Sequence, residues 1–224
     1  TEATADLTFA LVLAAARKLP TAERFLRDGK WQRWDIDLLC GGDVHGQTLG
    51  IVGLGRIGQA VARRAKGFSM RVLYASRNPA PPAVEQELGV MRVPLDALLR
   101  ESDFVSLHVP LNDETRHMIS VPQLCQMKRN AVLINTARGP IVDERALTAA
   151  LEEGLLAGAG LDVFEDEPNV PDELLALPNV VLLPHIGSAV TSVRSLMCAI
   201  AARDCAAALS GGQPEHVVNP EVLG

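Results

Sequence analysis

Gly50-Ile51-Val52-Gly53-Leu54-Gly55-Arg56-Ile57-Gly58 decides the reading of this chain. The stretch reads as a buried strand running into a Gly-x-Gly-x-x-Gly turn, with a helix following. That geometry holds a dinucleotide pyrophosphate. Gly53 permits the tight turn, Gly55 lets the backbone approach the phosphates with no Cβ in the way, and Gly58 lets the helix pack close to the strand. The helix N-terminus adds amide N–H groups and the positive end of its dipole. A glycine-rich turn alone is weak evidence. Here Thr48 to Val52 is a strand candidate in front of it, and Gln59 to Lys66 is a run of helix formers that stops at Gly67, which is the context the motif requires.

Outward from this motif the chain alternates. Strand candidates are Leu49–Val52, Arg71–Ala75, Phe104–Val109, Ala131–Asn135, Ala159–Val163 and Val180–Leu183. Helix candidates are Gln59–Lys66, Ala83–Leu88, Pro94–Glu101, Val121–Met127, Glu144–Glu153 and Val190–Leu209. The strand candidates are apolar runs without alternation, as expected when both faces of a sheet are covered. The expected fold is α/β, a doubly wound parallel sheet of the Rossmann type. Ahead of the motif, Ala5 to Lys18 is a helix, apolar nearly all round, that must be buried on several sides. Pro20 breaks it. A second helix, Thr21 to Asp28, ends at Gly29, and the Trp31/Trp34 pair and a Gly-rich linker from Cys40 to Gln47 follow.

The 224 residues suffice for one large α/β domain, and 48% apolar residues supply a sizeable core. A net charge of −6 with no long basic run argues against a nucleic-acid surface. No apolar run reaches membrane-spanning length and no secretory signal is present. The four cysteines, Cys40, Cys125, Cys198 and Cys205, lack Cys-x-x-Cys spacing. Cys198 and Cys205 fall on one face of a helix, where a thiol is expected to be a small core residue. These features suggest a reduced, cytoplasmic protein with no metal. The first residue is Thr1, so the chain reads as a processed product or a fragment.

Cofactor choice is set at the end of the second strand. An NAD-binding domain places an acidic residue about twenty residues beyond the glycines, where it holds the ribose hydroxyls. No acidic residue lies between Gly58 and Glu85, and the strand runs instead into Ser76-Arg77-Asn78. A small hydroxyl beside a guanidinium fits a 2′-phosphate. NADP(H) is favoured, with NAD(H) as the alternative; the bland reading of Arg77 is a solvated loop arginine.

Ligands bind beyond the carboxyl ends of strands in open α/β sheets, so residues there are candidates for chemistry. His185 follows Val-Val-Leu-Leu-Pro; a structural role fits it as well as a functional one. Arg138 follows Leu133-Ile134-Asn135-Thr136 and suits either a bidentate carboxylate clamp or a structural ion pair. Glu167 lies in the acidic run Glu165-Asp166-Glu167, and such a run is commonly a solvated face. All three occupy equivalent places after separate strands, on the cofactor edge. Of the other histidines, His108 reads as a buried hydrogen-bonded residue, and His45, His117 and His216 as loop or polar-segment residues.

Taken together these segments resemble the D-isomer-specific 2-hydroxyacid dehydrogenases over nearly the whole chain. The likeness rests on Thr1-Glu2-Ala3-Thr4-Ala5-Asp6, Gly53-Leu54-Gly55-Arg56-Ile57-Gly58, Leu107-His108-Val109-Pro110-Leu111, Asn135-Thr136-Ala137-Arg138-Gly139, Leu161-Asp162-Val163-Phe164-Glu165-Asp166-Glu167-Pro168 and Leu183-Pro184-His185-Ile186-Gly187-Ser188. Within that family, Ser76-Arg77-Asn78 and the His-Ile-Gly-Ser-Ala ending are most similar to the glyoxylate/hydroxypyruvate reductases. The resemblance implies hydride transfer from a nicotinamide cofactor to a small 2-keto acid. Arg138 would bind the substrate carboxylate and keto oxygen. His185 would be the general acid, and Glu167 would hold its tautomer and raise its pKa. Thr136, Ala137 and Asp162 match positions at the nicotinamide end, with His185 and Gly187 beside them. Leu54 to Ile57 match the pyrophosphate turn, and Val109 the cofactor groove.

The resemblance also implies a dinucleotide-binding domain over 1–189, and a C-terminal helix and tail over 190–224 that would pack on a substrate domain. Full family members begin with a further α/β segment, and this chain starts after it. The last helix or the first is therefore expected to show an exposed apolar face. The first helix and the Trp31/Trp34 arm correspond to a dimer contact, so a homodimer is expected. Alternatives are an NAD-dependent D-2-hydroxyacid dehydrogenase of phosphoglycerate or lactate type, a cofactor-sensing binding protein like the family's corepressors, and a dinucleotide-binding half alone.

Overall fold

The computed structural model describes residues 1–223. The apolar runs pair as seven strands: β1 Thr48–Val52, β2 Arg71–Ala75, β3 Val90–Arg92, β4 Phe104–Leu107, β5 Val132–Asn135, β6 Gly158–Leu161 and β7 Val180–Leu182. All pairings are parallel, in the order β3-β2-β1-β4-β5-β6-β7. The helices are α1 Glu2–Ala16, α2 Leu19–Arg27, α3 Arg56–Gly67, α4 Pro82–Leu88, α5 Leu95–Glu101, α6 Val121–Leu124, α7 Glu144–Glu152, α8 Asp172–Ala176 and α9 Thr191–Leu209. The expected doubly wound α/β sheet is therefore present. The chain works outward from β1 to β3 and returns to place β4 against the other side of β1. That reversal opens a crevice at the carboxyl ends of β1 and β4.

The absence of alternation within strands has a direct cause: each face of the sheet carries its own core. On one face Leu49, Ile51, Val72, Tyr74, Val132 and Ile134 pack with α1 and α3 residues such as Leu11, Val12, Ala60 and Val61. On the other, Leu73, Val105, Leu107, Leu133 and Leu161 pack with Leu98, Leu99, Leu147 and Leu151 of α5 and α7. Helix α1 buries Ala5, Thr8, Phe9, Leu11, Val12 and Ala16, matching its nearly all-round apolar surface. It lies so close to β6 that a Cβ at Gly160 would come within 3.0 Å of the Leu11 Cβ.

Two short elements escaped the sequence reading. Strand β3 is three residues long and only Val90 of it is buried. Helix α8 has five residues and buries only Leu174. Two compact units are resolved, Thr1–Gly187 with the whole sheet, and Ser188 onward with α9. Helix α9 buries none of its residues, and Leu196 and Met197 are exposed. The expectation that Cys198 and Cys205 are core residues is corrected by the same geometry: all four cysteines are exposed. No helix among the described residues is long and apolar enough to cross a membrane.

Candidate active site

Because all strands run the same way, their carboxyl ends share one edge of Thr1–Gly187, and the residues singled out in the sequence lie there. After β1, Gly53 has φ +96, a conformation that favours glycine, and a Cβ there would stand 2.8 Å from the His108 backbone. A Cβ at Gly58 would drive into the Gly53 carbonyl oxygen, so α3 can start this close to the turn only with glycine. Gly55, the N-cap of α3, is exposed and has nothing within 4 Å of where its Cβ would be. No side chain caps the helix, so the amides of its first turn, at Arg56, Ile57 and Gly58, are left without a side-chain acceptor, as an anion-binding helix start requires. Leu54 is buried beneath the turn.

A cavity of about 1020 Å3 runs from this turn along the ends of β1, β2 and β4, lined by Gly53, Gly55, Ser76, Arg77, Asn78 and Val109 among others. The size and the bare helix terminus fit a dinucleotide. Ser76 Oγ donates to the Asn78 carbonyl oxygen at 2.5 Å, and Arg77 reaches Glu114 across the cavity at 3.3 Å. His108 also lines the wall, half-buried, with Nε2 at 2.8 Å from Ser106 Oγ. Burial pushes its pKa down to about 4, so the ring is neutral near pH 7.

Arg138, Glu167 and His185 gather at the ends of β5, β6 and β7. His185 Nδ1 lies 2.7 Å from Glu167 Oε2, and Glu167 Oε1 accepts the Phe164 N–H at 3.1 Å. Burial raises the Glu167 pKa, but the hydrogen bonds from His185 and Phe164 and the charges of His185 and Arg138 prevail and hold it below the ordinary value. Arg138 is exposed, with its Nη1 donating to the Ala137 carbonyl at 2.6 Å. Thr136 is buried, its hydroxyl 2.9 Å from that of Thr8 in α1.

His185 is held at φ +53, a left-handed conformation uncommon for a residue with a side chain. Asp162 holds it there. Its backbone oxygen accepts the His185 N–H at 2.9 Å, and its carboxylate accepts from Ile186 N at 2.7 Å and Gly187 N at 2.8 Å. Asp162 is 1% exposed. Burial is the largest influence on its carboxyl and raises its pKa against the two amide hydrogen bonds.

The acidic run is not one solvated face. Glu165 pairs with His117 Nε2 at 2.6 Å, and its N–H donates to buried Glu144 at 3.3 Å. This ties the loop carrying Glu167 to the start of α7, and His117, read from sequence as a residue of a polar segment, is part of the tie. Asn135 was also missed. Its Nδ2 donates to the Arg138 carbonyl at 2.9 Å and its Oδ1 accepts the Ala137 N–H at 3.0 Å, which folds the Arg138 turn. An Asn at a strand end is a turn-forming signal that could have exposed it. Gly139 completes the arrangement, because any Cβ there would overlap the Phe164 carbonyl.

The arrangement can therefore orient an imidazole by a carboxylate, beside a guanidinium, on the sheet edge that also carries the cavity, although Arg138, Glu167 and His185 are not among the residues that line it. Residues 9–187 match the model of the D-isomer specific 2-hydroxyacid dehydrogenase, NAD binding domain. Glyoxylate reductase from Korarchaeum cryptofilum is 56% identical over 225 residues, an alignment that takes in 100% of this chain and 68% of that protein. An NADPH-dependent glyoxylate/hydroxypyruvate reductase from Sinorhizobium meliloti, solved with NADP and malonate, superposes with a TM-score of 0.88 at 40% identity, covering 97% of this chain and 67% of that one. D-lactate dehydrogenase from Lactobacillus jensenii with NAD+ gives 0.82 at 31% identity, covering 96% and 68%. On the fold, the strand-end constellation and these matches, the chain belongs to the D-isomer-specific 2-hydroxyacid dehydrogenase family.

Proposed function

We propose that this chain reduces a small 2-keto acid, glyoxylate or hydroxypyruvate, to the D-2-hydroxy acid with NADPH. The observation that carries the reaction is the His185–Glu167 pair at 2.7 Å beside Arg138. The Glu167 carboxylate accepts from Nδ1 and so leaves Nε2 of His185 to give its proton to the keto oxygen. Arg138 attracts the substrate carboxylate with its guanidinium, whose planar fork matches a carboxylate. Asp162 positions the His185 turn, and the turn at Gly53 to Gly58 with the N-terminus of α3 holds the pyrophosphate. Thr136 and Ala137 border the nicotinamide end, and Val109 the groove. A bound nicotinamide supplies the hydride.

NADPH is favoured over NADH because β2 ends in Ser76-Arg77 with no carboxylate to hold a 2′-hydroxyl. The S. meliloti relative named for NADPH supports this reading. A homodimer through the first helix, α1, and the Trp31/Trp34 arm is part of the proposal, supported by Trp31 and Trp34 being 55% and 74% exposed. Sedimentation of the chain tests it, and a monomer would dispose of it.

The test of function is oxidation of NADPH and NADH with glyoxylate and hydroxypyruvate, for the chain and for His185→Gln. Turnover favouring NADPH is expected, with loss of at least about a hundred-fold in the variant and unchanged dinucleotide affinity. Equal turnover in the variant, or joint loss of binding and turnover, refutes the role given to His185.

A further inference from the structure

The loop that carries Ser76 and Arg77 is braced from both ends by side chains outside it. Arg92, the last residue of β3, donates from Nη2 to the carbonyl oxygens of both Ser76 and Arg77, each at 3.1 Å. At the far end, the Ala80 N–H donates to the buried Tyr74 hydroxyl at 2.9 Å, and that hydroxyl donates in turn to Glu85. Arg92 is paired in register with Tyr74, so both braces rise from neighbouring positions in the sheet. A loop fixed in this way gives up little freedom when it takes a ligand.

The charge at the cavity wall is the second observation. The charged residues lining it are Arg77, Arg92 and Glu114. Glu114 is already paired with Arg77, and both side chains are more than 70% exposed. Those two charges cancel, so the net positive charge of the wall resides on Arg92. Its Nε and Nη1 have no hydrogen-bond partner among the described residues, and both remain as donors. A guanidinium with two spare donors matches a phosphate dianion and has no comparable advantage for a ribose hydroxyl.

We propose that Arg92 binds the 2′-phosphate of the adenosine ribose beside Arg77 and is a determinant of the preference for NADPH. The inference rests on the NADPH reading above and adds a residue from a strand that the glycine motif does not announce. Without Arg92, the wall keeps only the Arg77–Glu114 pair, and the advantage of a phosphate over a hydroxyl shrinks to what Ser76 and Arg77 supply.

Calorimetric titration with adenosine 2′,5′-bisphosphate and with 5′-AMP tests this without catalysis. For Arg92→Gln, the affinity for the bisphosphate falls ten-fold or more, while that for 5′-AMP falls less than three-fold. Equal losses for both ligands mean that Arg92 only braces the loop, and no loss for either means that it does neither; each result overturns the proposal while leaving the NADPH reading intact. An unmodified chain that binds the two ligands equally overturns the NADPH reading itself, and this inference with it.

Discussion

His108 gives the most quantitative prediction. Its pKa is about 4 in the folded chain against 6.5 for an unperturbed imidazole, and burial is the cause. A base whose folded pKa is depressed takes up protons first in the unfolded state. Stability is therefore complete above 6.5, declines as the pH falls, and stops declining through this residue near the folded value. Integrated from pH about 7.5 to about 5, the linkage amounts to about 2 kcal/mol of lost stability from this one ring. His108→Gln keeps a polar group in reach of Ser106 and cannot titrate. Urea unfolding of both chains at the two pH values should show the variant losing about 2 kcal/mol less than the parent. Parallel losses in the two chains would refute the claim that His108 is neutral and desolvated in the cavity wall.

Four other substitutions probe separate parts of the site. Gly58→Ala places a Cβ against the Gly53 carbonyl and should cost about 2 kcal/mol in urea unfolding. Gly55→Ala meets no protein atom, so it should unfold like the parent while binding NADPH at least about ten-fold more weakly, a loss of about 1.4 kcal/mol; equal stability of the two variants would contradict the tight helix start. Ser76→Asp should move the ratio of kcat/KM from NADPH toward NADH, by about ten-fold or more given the charge repulsion it introduces, and an unmoved ratio would count against the cofactor proposal. Glu167→Gln should lower kcat by about ten-fold or more with little change in NADPH affinity. Because the Glu167 pKa is held below its ordinary value, the stabilisation by its carboxylate is present above that ordinary value and is lost only as the pH falls through the lower folded one. The parent should therefore show no acid limb of kcat from Glu167 between pH about 5 and 7.

The sequence made the sheet legible where strands are continuous apolar runs. Phe104–Leu107 and Val132–Asn135 are buried at every residue, and such runs announce themselves. Val90–Arg92 does not, since its last two residues are exposed and three residues carry no period. Arg138, Glu167 and His185 could be picked out because each closely follows a recognisable strand. What holds them could not. The pairs His117–Glu165 and Arg92–Ser76 join residues 48 and 16 positions apart, and no local spacing encodes which distant partner a side chain meets. The exposure of Cys198 had the opposite cause: helical periodicity shows that two thiols share a face but not whether that face is covered.

The contact between Gly139 and the Phe164 carbonyl has a mechanical implication. The turn bearing Arg138 and the loop bearing Glu167 meet backbone against backbone, with no pliable side chain between them to absorb a displacement. Their closest approach is set by main-chain thickness. The two cannot be drawn nearer to each other to grip a smaller keto acid, so a tighter fit must come from the opposite side of the substrate.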